Sequence, residues 1–218
     1  MKLCFYAQLT IVSALLSGCM LKPVTVSTRH FTLVAVASSE PRPVASTVSE
    51  PLSVGIGFVK MPSYLLHNSM AIRNGSYEIQ YFDNALWSER LDESFQRDLA
   101  ANLVNLLHSD SIYLTDWGHD QVTVALYINV QQFDVDIGGR GTLIAQWRIN
   151  APGSDLPLKS GRTRLERIGV SPRGKPEVIA ATLSDLVAQF SRDLANSVRE
   201  STNRLATSKT NKPNSCLE

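Results

Sequence analysis

The stretch that most constrains the fold is a run of alternating residues from Val122 to Asp136, V-T-V-A-L-Y-I-N-V-Q-Q-F-D-V-D. Side chains of a β-strand point alternately to its two faces, so this spacing predicts one long strand with a single apolar face. That face carries Val122, Val124, Leu126, Ile128 and Val130. A turn at 138–141 leads into a strand at 142–150, and a second turn at 151–157 leads into a strand at 158–170. The C-terminal half is therefore predicted to contain a meander.

Two segments have the period of an amphipathic helix. The first spans Leu91–His108, with Ser88 or Asp92 predicted as its N-cap, and its apolar stripe is Leu91, Phe95, Leu99, Leu103, Leu106 and Leu107. The second begins near Pro176, where a missing N–H costs nothing, and runs to about Leu205. Its stripe is Ile179, Leu183, Leu186, Phe190, Leu194 and Val198.

Shorter strands are predicted at 30–37, 52–61 and 112–117, with a small hairpin at 70–73 and 77–83 turned at Asn74-Gly75. Gly55 and Gly57 alternate with apolar residues, which suggests a helix packed over bare backbone. The predicted fold is α+β (α/β in the broad sense). It has a mixed five- to six-stranded sheet with two long helices packed on it, one strand–helix–strand crossover and the C-terminal meander.

The N-terminus has the pattern of a bacterial lipoprotein signal. Met1 to Ser17 is apolar with one cation, Lys2, and is too short to span a membrane, which needs about 20 residues. The lipobox Leu16, Ser17 and Gly18 precedes Cys19, whose thiol would carry the lipid. A plain signal peptide with an incidental cysteine is the alternative. Met20, in place of an aspartate, favours the outer membrane over the inner one.

These features divide the chain into a signal peptide at 1–18, a lipidated tether at 19–28, one domain at 29–205 and a disordered tail at 206–218. Within the domain, residues 38–51 contain three prolines and four serines and are predicted to form a flexible loop. Cys4 leaves with the signal and Cys19 carries lipid, so Cys216 has no partner for an intramolecular disulfide.

Composition argues against several classes of protein. The formal net charge is +1 and no Lys/Arg run is present, so the sequence lacks the charge pattern of a nucleic-acid binder. The four histidines are scattered without metal-ligand spacing, and no nucleophile elbow or phosphate loop is present. His119-Asp120 follows a strand in a predicted turn, and we assign it no catalytic or ligand role. We therefore expect no enzyme, no metal and no cofactor.

Some surface residues are candidates for partner contact. Tyr64, Leu65 and Leu66 follow Pro62 in a predicted loop, and clustered exposed apolar residues can mark a contact site. Packing back onto the sheet edge is the favoured alternative. Arg140, at a hairpin tip, is of a type enriched at interfaces. Trp87, also of that type, is assigned to the core between the first helix and the hairpin.

Read in order, several motifs resemble the ABC-type transport auxiliary lipoprotein family, the PqiC-like lipoproteins. Val54–Leu65 resembles the family's strand that ends in a Pro-x-Tyr-Leu turn, and Ile72-Arg73 resembles the end of its next short strand. Phe82-Asp83 and Trp87–Phe95 resemble its Trp-x-x-x-Leu entry to the first helix. Phe133-Asp134 and Leu143-x-Ala145-x-Trp147 resemble its hairpin. The turn departs from the family, which usually has Asp-Arg-Pro where this chain has Leu66-His67-Asn68. If that turn touches a partner, His67 belongs to the contact, and the partner or the contact differs from that of other family members.

The resemblance implies a non-enzymatic, homo-oligomeric outer-membrane lipoprotein that faces the periplasm. Its partners would be an inner-membrane ABC permease and ATPase and a mammalian-cell-entry (MCE) domain protein that bridges the periplasm, and the cargo would be lipid. An alternative is a structural or assembly role in the envelope, such as binding peptidoglycan or an outer-membrane protein. A lipid pocket within the domain would need an apolar cavity, which a helix-covered sheet is not expected to leave.

Overall fold

The alternating run forms the central strand of a five-stranded sheet. A computed structural model describes residues 27–35 and 52–210. Its strands and helices are β1 (Arg29–Phe31), β2 (Val54–Ile56), β3 (Ser69–Asn74), β4 (Glu78–Trp87), α1 (Leu91–Leu107), β5 (Ile112–Leu114), β6 (Val124–Val135), β7 (Arg140–Asn150), β8 (Pro157–Ile168) and α2 (Pro176–Thr210). The lipobox, Cys19, the whole of the predicted flexible loop and Cys216 lie outside the described residues.

The five-stranded sheet has the order β5-β2-β6-β7-β8. The first three strands are parallel, and the predicted meander forms the antiparallel half. Between Val130 and Gln132 a bulge inserts one residue into β6. The bulge therefore shifts which residues of β6 face the core. From Val124 to Val130 the even-numbered side chains face it, and after the bulge the odd-numbered Phe133 and Val135 do so.

The predicted hairpin belongs to a second sheet. β3 and β4 turn at Asn74-Gly75, as predicted, and with β1 they form a three-stranded sheet of order β1-β4-β3. The α+β class is confirmed, with mixed sheets of three and five strands in place of one larger sheet. Between the sheets the backbone makes an isolated bridge from Arg73 to Asp136.

The short strands end earlier than their composition predicts. β2 stops at Ile56, and the chain pairs again at Lys60, which bridges to Asn129. β5 stops at Leu114 because the next two residues, Thr115 and Asp116, have positive φ angles of 45° and 37°. Such angles cannot continue a strand.

Both predicted helices are present. The N-cap of α1 is Arg90, so the prediction of Ser88 or Asp92 is wrong. The Ser88 N–H donates to the Phe31 carbonyl at 2.8 Å, and Asp92 lies inside the first turn, where it pairs with Arg90 at 2.7 Å. α2 is 35 residues long and extends beyond Leu205 to Thr210, so the start of the predicted polar tail is helical.

The core lies between the helices and one face of the five-stranded sheet. The apolar stripe of α2 is buried along its whole length, and Leu91, Phe95, Leu99 and Leu103 of α1 are each at most 2% exposed. The Phe95 ring contacts Phe133 of β6 edge-on at 5.2 Å and Phe190 of α2 at 6.2 Å between centroids. Trp87 is 6% exposed and belongs to this core, as predicted.

Candidate functional site

The predicted contact turn is held against the sheet. Ser63–Leu65 forms a short 3₁₀ turn, and Leu65 is buried with 4% of its surface exposed. Leu66 is half-buried and His67 is exposed, with its ring 5.0 Å from that of Tyr81 between centroids. The turn therefore directs Leu65 into the core and presents Leu66 and His67 at the surface.

Tyr64 belongs to a hydrogen-bonded cluster around Asp134. Its hydroxyl donates a 2.7 Å hydrogen bond to Asp134 Oδ2. The Arg73 guanidinium donates to the same carboxylate from Nε, at 3.1 Å from Oδ1, and from Nη2, at 2.6 Å from Oδ2. Gln132 Nε2 adds a bond to Oδ1 at 3.0 Å. With 2% of its surface exposed, Asp134 is a buried carboxylate whose charge is neutralised by a bidentate arginine.

Tyr64 and Arg73 both keep their protons near neutral pH. Burial, reinforced by the charge of Asp134, raises the pKa of Tyr64 well above its ordinary value. The hydrogen bond to Asp134 raises the pKa of Arg73 further above an already high value. Tyr64 therefore remains a donor and Arg73 remains charged, so the cluster is a permanent clamp between the turn, β3 and β6.

Three of the motifs that carry the family resemblance meet in this clamp. The Pro-x-Tyr-Leu turn supplies Tyr64, the Ile72-Arg73 pair supplies Arg73 and the Phe133-Asp134 pair supplies Asp134. The motif residues thus join the two sheets. Of the predicted contact residues, Leu66, His67 and Arg140 have side chains outside the clamp and the core.

Arg140 begins β7, and its side chain is not one of the groups bonded in the clamp. Its Nη1 donates to Glu166 on β8 at 3.2 Å, and its side chain is 54% exposed. Among the described residues no hydrogen bond or ion pair joins Arg140 to the turn at Ser63–Leu65. The structure therefore does not bring the predicted contact residues together as one bonded group.

A groove lies on the other face of the five-stranded sheet, opposite the helices; we call this the open face. Its volume is about 910 Å³, and its wall residues include Phe58, Lys60, Trp117, Tyr127, Arg148 and Arg162. His119, to which the sequence assigned no role, also lies at this wall, with its ring 6.5 Å from that of Trp117. The helices do cover a sheet, as predicted, but they leave a sizeable groove on its far side.

Two glycines create room for aromatic rings in the groove. A Cβ on Gly55 would lie 2.4 Å from the Trp117 ring, and a Cβ on Gly57 would lie 2.9 Å from the Tyr127 ring. Bare backbone at these positions therefore admits Trp117 and Tyr127 on the open face, and the prediction of a packed helix there is wrong. From the helix side, Gln96 of α1 reaches this strand, where its Nε2 donates to the Ile56 and Gly57 carbonyls.

Backbone strain is concentrated beside Trp117. Thr115 and Asp116 both adopt the left-handed region, although neither is glycine and Thr115 is β-branched. Such strain costs about 1–3 kcal/mol per residue and is found mainly at functional sites. Here the two residues turn the chain back at the end of β5, so that Trp117 covers Gly55.

The groove is rich in cations without carboxylate partners. Among the described residues, Lys60, Arg148 and Arg162 take part in no ion pair, whereas Asp116 is the one acidic residue at the wall. The Arg148 guanidinium lies 4.8 Å from the centroid of the Tyr127 ring, which fixes it by a cation–π contact. The arrangement suits an anion with an apolar portion.

In residues 27–35 and 52–210, no three metal-ligating side chains converge on one point. The helices of that part of the chain are also too short or too polar to cross a membrane.

A family model described as the ABC-type transport auxiliary lipoprotein component matches residues 31–195. The chain belongs to this family. Its members are lipoproteins, which fits an envelope protein held at a membrane by lipid. A comparison with curated protein sequences finds no significant match.

Solved structures share the fold of this auxiliary lipoprotein. The protein XCC0632 from Xanthomonas campestris is 12% identical, with a TM-score of 0.65 over 84% of this chain and 99% of its own. A second, uncharacterised protein is 21% identical, with a TM-score of 0.60 over 79% of this chain and 99% of its own. At these identities the likeness extends to the fold alone.

The family motifs do not coincide with the groove of this auxiliary lipoprotein. Of the residues at its wall, Gly57, Phe58, Lys60 and Trp147 are residues of the quoted motifs. Arg148 on β7 and Arg162 on β8 lie outside those motifs. The sequence signal for the groove was the pair Gly55 and Gly57. Whether these two glycines make room for a helix or for aromatic rings depends on which face of the sheet the helices leave uncovered.

Proposed function

We propose that this protein is a non-enzymatic subunit of an ABC/MCE-type lipid transport system, held in the outer membrane by lipid on Cys19. It docks the periplasm-spanning MCE-domain protein, which an inner-membrane ABC permease and ATPase drive. The observation that carries this proposal is the family match over residues 31–195, whose description is an auxiliary component of ABC-type transport.

The position of the N-terminus supports a membrane-facing end. Arg29 pairs with Glu177 at 3.3 Å, so the tether arrives beside the start of α2. Ile168, at the end of β8, and Val170, in the loop that follows, are 80% and 68% exposed, and this loop also carries Lys175. Ser27 is eight positions after Cys19, a reach of about 28 Å when the chain is extended, so this end stays close to the lipid surface.

The turn supports a docking role because its conformation is fixed before a partner arrives. The clamp at Tyr64 and the burial of Leu65 hold Leu66 and His67 in place. A preorganised contact loses little conformational entropy on binding. Arg140 could join the contact because its exposed ion pair with Glu166 is worth only about 0–1 kcal/mol and can be exchanged for a partner's carboxylate.

The edge of β8 supports a homo-oligomer. This strand is 12 residues long and ends the five-stranded sheet, so its outer backbone groups have no neighbouring strand among the described residues. Long free edges are templates for pairing with another chain. A second copy is the proposed partner of this edge.

The test is photo-crosslinking in intact cells, with a photoreactive residue at His67, at Arg140 or at Arg192. Arg192 is an exposed control on α2. After affinity purification and mass spectrometry, we expect an MCE-domain protein from positions 67 and 140 and not from 192. Recovery of only outer-membrane proteins or peptidoglycan fragments would reject docking and favour the assembly role.

A second variant tests the anchor. Cys19→Ala removes the acyl acceptor, so the protein should leave the membrane fraction after a salt wash while the domain stays folded by circular dichroism. The natural chain, fractionated in parallel, is the control. A Cys19→Ala protein that still pellets with outer membranes would contradict lipid anchoring.

A further inference from the structure

We propose that the groove on the open face binds one anionic phospholipid, with its phosphate held by Lys60, Arg148 and Arg162 and an acyl chain against Phe58, Trp117 and Tyr127. This inference deepens the proposed function, on which it rests, by giving the transported lipid a site on this chain.

The register of the sheet brings the three cations to one place. Lys60 pairs with Asn129, Asn129 with Gln146 and Gln146 with Arg162, so these residues form one row across four strands. With strands about 4.8 Å apart, the ends of the row are separated by about 14 Å, a gap that a lysine and an arginine side chain can close from both sides. Arg148 lies in the adjacent row, beside Tyr127.

The charge of the site selects an anion. Three cations that form no ion pair within the described part of the chain line the wall with one acid, Asp116. The contact between Arg148 and the face of Tyr127 orients the guanidinium while leaving its N–H edge free to donate. Planar guanidinium donors match the geometry of phosphate oxygens, and such bonds are stronger than neutral ones.

The rest of the groove selects an apolar group. Phe58 is 76% exposed, which is unusual for a phenylalanine within a folded domain, and it stands at the wall with the half-buried rings of Trp117 and Tyr127. The volume of about 910 Å³ lies near the upper end of the 300–1,000 Å³ range of small-molecule sites. Because the groove is open, the remaining chain can extend beyond it, as transfer between carriers requires.

A peptide is a less suitable occupant. The wall lies on the face of β6, β7 and β8, where the backbone groups between these strands are paired within the ladders, whereas those on the outer edge of β8 have no neighbouring strand among the described residues. A partner strand could not add to the sheet here and would have only side chains to recognise it. The strained turn at Thr115 and Asp116 holds Trp117 in place without any such partner.

The experiment uses the mature lipoprotein in detergent with phosphatidylglycerol that carries a diazirine in one acyl chain. We expect photolabelling to map by mass spectrometry to peptides containing Phe58, Trp117 or Tyr127. The double variant Arg148→Gln/Arg162→Gln should label at least about tenfold less, since each lost charge-assisted bond weakens binding. Arg192→Gln, an exposed arginine on α2, is the matched control and should label like the natural protein.

Two further arms separate the parts of the ligand. Diacylglycerol with the same diazirine lacks the phosphate and should label at least about tenfold less, whereas glycerol phosphate should compete poorly because it lacks the chain. Phe58→Gln, a change at an exposed position, should reduce labelling without loss of fold. Equal labelling of the double variant and the Arg192→Gln control, equal labelling by diacylglycerol, or label outside the groove would overturn the inference.

Crosslinking in cells separates this inference from the proposed function. A photoreactive residue at position 58 should capture lipid, and capture of a protein there would overturn the phospholipid site. If the groove fails to label while the MCE-domain protein is still recovered through position 67, only the groove inference falls. If the groove labels and no MCE-domain protein is recovered, the docking proposal falls and the lipid site stands.

Discussion

The open face of β6 has two ends with opposite character. At Asp134 a carboxylate is buried and receives bonds from Tyr64, Arg73 and Gln132, so no charge is left for an outside ligand. At Tyr127 the same face is lined by aromatic rings and by cations that pair with no acid in residues 27–35 and 52–210. One strand thus carries a buried, fully hydrogen-bonded clamp at one end and an exposed groove at the other. Three of the motifs that carry the family resemblance supply the clamp, whereas two arginines that form no ion pair among the described residues lie in the groove.

The largest effect is expected from Arg73→Met. It leaves the carboxylate of Asp134 buried without its cation, which costs about 3–5 kcal/mol in the free energy of unfolding. Urea unfolding followed by circular dichroism measures it. Arg162→Met, the same change in the groove, is the control and should leave the midpoint almost unmoved. Similar losses for the two variants would remove the contrast between the clamp and the groove.

Gly55→Ala should have the next largest effect. The added methyl group would lie 2.4 Å from the Trp117 ring, and overpacking of this kind costs about 1–3 kcal/mol. Displacement of the ring into solvent should shift its fluorescence to longer wavelength. Adding Trp117→Ala to the variant should recover most of the stability lost through the clash. A Gly55→Ala protein with natural stability and fluorescence would mean that the ring does not cover this backbone.

Tyr64→Phe removes one hydrogen bond to a charged group and should cost about 1–2 kcal/mol at pH 7. The raised pKa of Tyr64 adds a pH dependence. Above about pH 10 the unfolded state releases this proton while the folded state keeps it, so the hydroxyl's contribution declines as pH rises. The stability difference between the natural protein and Tyr64→Phe should therefore shrink between pH 9 and pH 11. A constant difference would place the hydroxyl outside the clamp.

The smallest effect on stability is expected from Arg148→Gln. Its guanidinium has no ion pair among the described residues, and its contact with Tyr127 is at the surface. The free energy of unfolding should change by less than about 0.5 kcal/mol. A loss as large as that of Tyr64→Phe would show that the groove cations support the fold.

Sequence patterns predicted the elements whose periodicity is strong and local. The alternation around Leu126 and the stripe of Phe190 each lie within one segment, so their buried faces could be assigned. The clamp could not be derived this way, because Tyr64 and Asp134 are 70 residues apart and meet only after both sheets form. The groove depends on which side of the sheet the helices leave bare. Its strained turn at Thr115 has no sequence signal, since threonine rarely adopts that conformation.

The Arg29–Glu177 ion pair has a mechanical consequence. In the proposed docking role, a pull from the bridging partner would load the lipid anchor and transmit tension to the first described residues. Here that tension falls on β1, a strand with three paired residues, and then on Leu33, which is buried, and on the bond from the Val34 N–H to Ser184 Oγ. These few contacts should yield before the meander does. The segment that contains β1 would then detach and lengthen the tether under tension, and its contacts would form again when the pull ends.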